Sequence, residues 1–270
     1  MQKKWWAVIV ILGLGVIGSW AVWRHAQATQ PVSGVPTVFV HGYNGNAHST
    51  GQMIAALTKA GVARQTMRVT VKPNGRLQVE GNLSGKNPIV QVVYQDPRNG
   101  QAFTPWLLQV YALLHRRYHV KQVNAVGHSA GAIAVIEAAM RRPAVKMHKL
   151  VVIAGPFSGA FGPGGKINSV RLAPNGKPTP QSPKYRQLLS EAKDFHAQAV
   201  LNLYGDLNDG SRSDGVVPIN AAKSLRYLLR HWQGSYQVRA VVGADAQHSK
   251  LHQNNPIVDT QLRRFLYPQP

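Results

Sequence analysis

The stretch "NAVGHSAGAIAV", residues 124–135, places one serine, Ser129, between two glycines. An apolar segment leads into this Gly-x-Ser-x-Gly pattern, and an alanine-rich segment typical of a helix follows it. Between a buried strand and a helix, this pattern is typical of a strained turn that exposes a nucleophilic hydroxyl. The glycines supply the room that such a turn needs, and the helix amino-terminus offers N–H groups to a developing oxyanion. We therefore interpret Ser129 as a nucleophile and not as a small residue of a glycine-rich loop.

Apolar segments typical of strands alternate with amphipathic segments through the rest of the chain. The pattern predicts strands at residues 37–40, 89–94, 122–126, 150–154, 199–204 and 236–242. It predicts helices at residues 53–60, 104–114, 130–141 and 257–266, and a β-hairpin from residues 66–71 and 77–79 around a turn at 72–75. Strands that alternate with helices indicate an α/β fold, with a mostly parallel central sheet and helices on both faces.

A serine on such a turn needs an orienting acid and then a histidine base further along the chain. Asp206, Asp209 and Asp214 all lie in one loop, "YGDLNDGSRSDGVVP", directly after a predicted strand. This is the position that an orienting acid would occupy, and we predict Asp214 for the role, with Asp206 as the second candidate. For Asp209 we favour a role in forming the turn.

The histidine base is predicted from its place between the last strand and the last helix. His248 and His252 both lie there, in "GADAQHSKLHQNNPIVDTQLRRFL". We predict His248 as the base and interpret His252 as a supporting or surface residue. His41 and His128 precede the serine or adjoin it, so we interpret His41 as a structural hydrogen-bonding residue and His128 as a side chain that shapes the pocket.

The composition limits the chemistry and the partners of the protein. The sequence has 31 Lys and Arg against 10 Asp and Glu, a formal net charge of +21, which indicates an anionic environment. It has no cysteine, which excludes disulfides, thiolate catalysis and cysteine-ligated zinc. No His-Glu-x-x-His motif or comparable set of ligands occurs, so we expect neither a metal nor another cofactor.

The amino-terminal sequence predicts a membrane anchor over residues 1–24. Lys3 and Lys4 precede a run of 19 uncharged residues from Trp5 to Trp23. At about 1.5 Å per residue, a helix of this length nearly spans a hydrocarbon core of about 30 Å. The lysines favour a cytoplasmic amino-terminus, which places the remainder outside the membrane. The alternative is a signal peptide that is cleaved at the small-x-small motif of residues 26–28.

This location constrains the domains and the partners. We predict a polar linker over residues 25–35 and one catalytic domain over residues 36–270. A Gly- and Pro-rich insertion at residues 156–190 is a candidate lid over the pocket, because loops of this length are usually functional or disordered. Outside the cell, nucleic acid explains the charge poorly, and we expect an anionic membrane or cell-wall surface as the partner.

Four motifs, in this order, carry a resemblance to a known superfamily: "PTVFVHGYNGNAHS", "VNAVGHSAGA", "SDGVVP" and "HSKLHQNNPIV". They resemble the α/β-hydrolase superfamily, and more narrowly the cell-surface hydrolases of Gram-positive bacteria that are related to lipases and esterases. The likeness extends over roughly residues 36–267. It differs from the common pattern at Ala130, where relatives often carry methionine, and at Ala132, where a second glycine is common.

The resemblance implies a serine-hydrolase triad and an oxyanion hole. Ser129 would be the nucleophile, Asp214 the acid and His248 the base, and the backbone N–H groups of Tyr43 and Ala130 would bind the oxyanion. The implied activity is hydrolysis of a small-molecule or lipid carboxylic ester through an acyl-enzyme. Two alternatives stay open: acyl transfer or amide cleavage by the same triad, and a non-catalytic basic protein that binds an anionic wall polymer.

Overall fold

The computed structural model describes residues 31–159 and 169–268. The strands are β1 (Thr37–Val40), β2 (Arg64–Val71), β3 (Leu77–Gly81), β4 (Pro88–Tyr94), β5 (Gln122–His128), β6 (Lys146–Ile153), β7 (Arg171–Leu172), β8 (Pro178–Thr179), β9 (Ala199–Asp206) and β10 (Ser235–Val242). The helices are α1 (Ala47–Lys59), α2 (Phe103–Tyr118), α3 (Ala130–Met140), α4 (Pro183–Glu191), α5 (Ile219–Lys223), α6 (Leu225–Leu228) and α7 (Pro256–Leu266).

Eight strands form one sheet in the order β10-β9-β6-β5-β1-β4-β2-β3. Every neighbouring pair is parallel except β2 and β3, which form the predicted antiparallel hairpin. The α/β class and the mostly parallel sheet are therefore confirmed. Because the strands run the same way, the loops that follow β1, β5, β9 and β10 all emerge at one edge of the sheet, which we call the carboxyl edge. The opposite edge, where the parallel strands begin, is the amino edge.

Helices cover both faces of the sheet, as the sequence predicts. In β1, Val38 and Val40 belong to a hydrophobic cluster with α2 and α3, whereas Phe39 belongs to a second cluster with α1 and α7. All three side chains are fully buried. This two-residue alternation explains why a short, mostly apolar run forms a central strand: both of its faces pack against apolar helices.

Helix α1 begins six residues before the predicted start. Asn46 caps it by accepting a hydrogen bond from the backbone N–H of His48, and Ser49 bonds back to the backbone N–H of Asn46. The first turn is polar, so hydrophobic periodicity could not reveal it. The capping pair, with Asn46 three residues before Ser49, is the signal that could have done so.

The last residues of the predicted linker at 25–35 pair with the fold. The backbone N–H of Ser33 donates to Gly85, and that of Asn87 donates to Ser33, so the chain already joins the fold within residues 25–35. A single bridge of this kind has no periodic sequence pattern. The predicted anchor at residues 1–24 lies outside the described residues. Within the described ranges, no helix is both long enough and apolar enough to cross a membrane.

The carboxyl-terminal portion of the predicted insertion at residues 156–190 belongs to the hydrophobic core. Tyr185 and Leu188 of α4 are buried, and the Tyr185 hydroxyl donates to the carbonyl of Ser224. Lys184 donates a hydrogen bond to Glu137 of α3, and Glu137 follows Ser129 by eight residues in the sequence. At about 1.5 Å per residue that is roughly 12 Å along the helix. Helix α4 is therefore anchored away from the serine. The lid stays a prediction for the residues before α4, of which 160–168 lie outside the described ranges.

Candidate active site

The turn between β5 and α3 holds Ser129 in a strained backbone conformation. Its φ is 55° and its ψ is −122°, values that a residue with a side chain rarely adopts. The glycines around it are required by close approach. A Cβ on Gly127 would lie 2.4 Å from the carbonyl oxygen of Gly131, and one on Gly131 would lie 2.5 Å from that of His41. The strain and the missing side chains explain why the local sequence is Gly-His-Ser-Ala-Gly.

The structure brings Asp214 and His248 together at the carboxyl edge. His248 Nδ1 donates to Asp214 Oδ2 at 2.7 Å, and the His248 backbone N–H donates to the Asp214 carbonyl at 2.8 Å. The Asp214 side chain is buried, and its Oδ1 accepts the backbone N–H groups of Val216 and Val217 at 2.9 and 2.6 Å. The two backbone N–H groups of the loop hold Oδ1 in place, and Oδ2 is left to accept the hydrogen bond from the imidazole.

The other two aspartates of this loop have local roles. Asp206 Oδ1 accepts the backbone N–H of Asn208, and Asp209 Oδ1 accepts that of Ser211. Both are bonds from a side chain to the backbone two residues ahead, which is how aspartate stabilises a turn. The geometry therefore favours Asp214 over the second candidate, Asp206, as the partner of His248.

Two backbone N–H groups near the serine have no acceptor among the described residues. They belong to Tyr43, in the loop after β1, and to Ala130, the first residue of α3. The Tyr43 loop lies next to Ser129, because a Cβ on Gly42 would lie 2.8 Å from the Ser129 Cβ. Free donors at a helix start and on a neighbouring loop can bind a developing negative charge on a substrate oxygen.

His41 holds the loop of Tyr43 against the sheet. Its Nδ1 donates to the carbonyl of Gly42 at 2.8 Å, and its Nε2 accepts the backbone N–H of Tyr94 in β4 at 3.0 Å. Burial lowers the pKa of His41, which favours the neutral ring that this pair of bonds requires. The structural role that the sequence predicts for His41 agrees with these contacts.

The rings of His128, His248 and His252 lie in contact with one another, in tilted and edge-on arrangements, and sequence reasoning missed this cluster. The His128 ring lies 4.6 Å from that of His248 and 4.5 Å from that of His252, between ring centres. His128 Nε2 donates to the His248 carbonyl at 3.1 Å. Burial, and then the neighbouring His248 and His252, hold the pKa of His128 well below its usual value. Burial and His248 lower the pKa of His252 to about 4.

The cluster surrounds the predicted base with neutral rings. His252 is buried, so it is a supporting residue and not a surface one. The contacts join residues more than one hundred positions apart, which no local motif reveals. The one available signal was that histidine adjoins the nucleophile and recurs four residues after His248.

The described residues contain no hydrogen bond between Ser129 and His248 that meets standard geometry. His248 is therefore hydrogen-bonded to Asp214 and, among the described residues, not to Ser129. Catalytic hydrogen bonds are often long without substrate and tighten once it binds. In the described ranges, no group of three or more His, Cys, Asp or Glu side chains is arranged to hold a metal ion.

Comparison with known proteins agrees with this arrangement of elements. The sequence model of a family described as "Alpha/beta hydrolase of unknown function (DUF915)" matches residues 24–269. No curated protein matches the chain. The solved product of the Listeria innocua gene lin2722 is similar, with a TM-score of 0.76 and 24% identity over 88% of this chain and 96% of that one.

A second solved structure has the same fold. It is the "putative cell surface hydrolase" of Lactobacillus plantarum WCFS1, with a TM-score of 0.69 and 19% identity over 87% of this chain and 92% of that one. At these identities the two structures establish the fold alone.

Proposed function

Because the chain belongs to this family of α/β hydrolases, we propose that it is a serine hydrolase that cleaves carboxylic esters through Ser129, His248 and Asp214. The family membership confirms the resemblance drawn from the four motifs and makes the protein an α/β hydrolase. The observation that carries the finer proposal is the 2.7 Å bond between His248 and the buried Asp214, at the same edge as the strained serine.

The mechanism follows from the proton positions in this pair. With Nδ1 donating to Asp214, the neutral His248 ring presents a lone pair on Nε2, the form that accepts a proton from Ser129 as Oγ attacks the ester carbonyl. Asp214 stabilises the imidazolium that results. The free N–H groups of Tyr43 and Ala130 would bind the oxyanion, and each such donor is worth about 10²–10³ in rate. The His248 imidazolium then gives its proton to the leaving alcohol oxygen as the ester C–O bond breaks, which leaves Ser129 acylated. Water, deprotonated by His248, attacks this acyl-enzyme, and His248 returns the proton to Ser129 Oγ as the acid product leaves.

The test begins with covalent labelling of the full chain by a fluorophosphonate probe and turnover of p-nitrophenyl acetate and butyrate. We expect Ser129→Ala to abolish both. The matched control is Ser249→Ala, an exposed serine next to the proposed base, which should label and turn over normally. Labelling that survives in Ser129→Ala contradicts the proposal. Binding of a wall polymer with no labelling in the unaltered protein favours the non-catalytic alternative.

A second pair of variants tests the acid. In Asp214→Asn, the amide oxygen can still accept from Val216 and Val217, so its nitrogen faces His248 Nδ1 and forces the ring proton onto Nε2. We expect kcat to fall by about 10³–10⁴, because that tautomer cannot accept the serine proton. Asp206→Asn preserves the turn bond to Asn208 and should change kcat little. An equal loss in both variants would overturn the assignment of the acid.

We place the proposed enzyme outside the cytoplasm. The uncharged run from Trp5 to Trp23 behind two lysines supports this location, and so does the printed description of the Lactobacillus plantarum protein as a cell surface hydrolase. Proteinase added to intact cells should degrade the catalytic domain, whereas a cytoplasmic protein would stay protected. Sequencing of the mature amino-terminus distinguishes the anchor from the cleaved signal.

A further inference from the structure

A group of exposed cations lies at the amino edge of the sheet, opposite the candidate active site. Six of them define what we call the basic face: Arg64, Lys86, Arg117, Lys121, Lys146 and Arg264. They lie where β2, β4, β5 and β6 begin and where α2 and α7 end. In the described part of the chain, none of the six has a carboxylate within the 4.0 Å of an ion pair.

The acids are distributed in the opposite way. The loops after β4, β9 and β10 place aspartates at the carboxyl edge: Asp96, Asp206, Asp209, Asp214 and Asp245. Beside the basic face, Glu191 and Asp194 are already paired with Arg141 and Arg142. Cations in the loops of the carboxyl edge, among them Arg98, Arg212 and Lys250, offset these aspartates, so the surplus of positive charge lies elsewhere on the molecule and includes the basic face.

The chain enters the fold at the basic face. Ser33 bonds to Gly85 and Asn87 on either side of Lys86, and the Pro36 carbonyl accepts the backbone N–H of Asn124 near the start of β5. The residues before 31 therefore attach at this edge. Their sequence contains the uncharged run that ends at Trp23, and seven residues, 24–30, separate that run from the described chain. Seven residues span at most about 25 Å.

We propose that the basic face docks on the surface of a membrane that contains anionic phospholipid, with the candidate active site directed away from the bilayer. A tether of at most about 25 Å lets the basic face reach the leaflet, and once within the Debye length of about 8 Å at physiological salt its cations are attracted to anionic headgroups. The proposal goes beyond ester hydrolysis and stands whether or not Ser129 is a nucleophile.

The spread of the cations favours a lipid surface over a linear polymer. From β2 to β6 the edge crosses five adjacent strands, roughly 19 Å at 4.8 Å per strand. Arg117 and Arg264 extend the face to the helix layers on both sides of the sheet. A planar array matches a plane of headgroups, whereas one strand of polymer would follow a groove. A cavity of about 1090 Å³ lined by Lys121, Lys146 and Trp232 could admit a single headgroup.

The experiment compares the accessibility of individual lysines in the full chain. The protein is reconstituted into vesicles of phosphatidylcholine alone or mixed with phosphatidylglycerol, and a membrane-impermeant amine-acetylating reagent is added. Mass spectrometry then gives the rate at each site. We expect Lys86, Lys121 and Lys146 to react about fivefold more slowly on anionic vesicles, the factor that corresponds to attraction of one cation to the leaflet, and high salt to remove the protection. Exposed Lys250, at the carboxyl edge, is the internal control and should react equally in both vesicles.

A charge-reversal variant separates docking from tethering. In the unaltered protein, anionic vesicles should slow backbone hydrogen exchange in the peptides that contain Arg64, Arg117 or Arg264. The triple variant Lys86→Glu, Lys121→Glu and Lys146→Glu should abolish this slowing without altering the fold. Equal acetylation of the three lysines on both vesicles overturns the proposal. Slower acetylation of Lys250 in place of the three lysines also overturns it. So does slower acetylation of the three lysines by a soluble polyphosphate polymer but not by anionic vesicles.

Discussion

At the scale of single residues, the turn around Ser129 shows how closely the backbone conformation restricts the sequence. The serine carries a positive φ at the end of β5, and α3 starts at once, so the turn must pack directly on the loop after β1. Gly131 makes this possible, because its Cα faces the carbonyl oxygens of Val40 and His41. A side chain there has no space, and the neighbours are backbone atoms that cannot move aside.

The prediction at this scale is that Gly131→Ala destabilises the protein although alanine is the better helix former. Its Cβ would lie 2.5 Å from the His41 carbonyl oxygen and 2.7 Å from that of Val40. Overpacking of this kind costs about 1–3 kcal/mol or more, and urea unfolding measures it. The control is Gly51→Ala in α1, where a Cβ meets nothing within 4 Å and should stabilise the helix by up to about 1 kcal/mol. Equal effects on the free energy of unfolding in the two variants would show that the turn after Ser129 tolerates a side chain at position 131.

The residues of the candidate site differ in how far the sequence could predict them. Ser129 could be predicted because a local motif encodes its turn. Asp214 and His248 could be predicted because chain order and the scarcity of acids restrict the choice. His128 and His252 were not recognised as one cluster with His248, because ring packing depends on how loops from different strands meet. Such contacts become visible only once the sheet order is known.

At the scale of elements, Glu137 joins three helices. Its carboxylate accepts the hydroxyl of Thr104 in α2 and Lys184 of α4, each at 2.8 Å, and it also pairs with Arg141 at the end of its own helix. The side chain is 4% exposed, whereas those of Lys184 and Arg141 are 44% and 33% exposed. The acid is buried and satisfied, and its cations keep contact with water.

We predict that Glu137→Ala lowers the free energy of unfolding by about 2–3 kcal/mol, since Thr104 loses its buried acceptor while the two cations can turn to solvent. Urea unfolding at low and high salt gives the value. Glu191→Ala removes the half-buried partner of the same Arg141 and should cost less than about 1 kcal/mol. A Glu137 variant as stable as the Glu191 variant contradicts the view that α4 is fastened through this carboxylate.

The sequence predicted the elements of the sheet better than those that decorate it. Both strands of the hairpin and every other strand of the large sheet were identified. Six of these strands have apolar residues buried on one or both faces, whereas β3 and β10 are mostly exposed and were recognised by alternation around the hairpin turn and by β-branched residues, respectively. By contrast, α5, α6 and the two-residue strands β7 and β8 were missed, and the surface helix predicted around residues 191–194 lies mostly earlier, as α4, within the predicted insertion. These elements are short, and their stability comes from contacts such as that of Tyr185 with Ser224, which has no periodic signature.

At the scale of the whole molecule, burial of neutral histidines makes the fold sensitive to acid. Burial lowers the pKa of His41 and, with its histidine neighbours, holds that of His128 well below 6.5. Burial lowers the pKa of His252 to about 4. Burial also raises the pKa of Asp259 to about 6, which acts in the opposite sense, since a raised carboxyl favours the fold at low pH and loses that advantage as the pH rises.

The sign of the net effect follows from proton binding. Below the ordinary histidine pKa of about 6.5, the unfolded chain binds protons that the folded histidines refuse, so stability that is full above 6.5 is lost as the pH falls toward 4. Three histidines outweigh one aspartate, and we expect the free energy of unfolding to fall by about 2–4 kcal/mol between pH 7 and pH 5. Urea titrations at several pH values measure this slope. His252→Gln should make it shallower, because one of the refused protons disappears, whereas His231→Gln at an exposed position should leave it unchanged. A free energy of unfolding that stays constant from pH 7 to pH 5, or a slope that His252→Gln does not alter, would show that the histidine cluster opens to water before the rest of the fold.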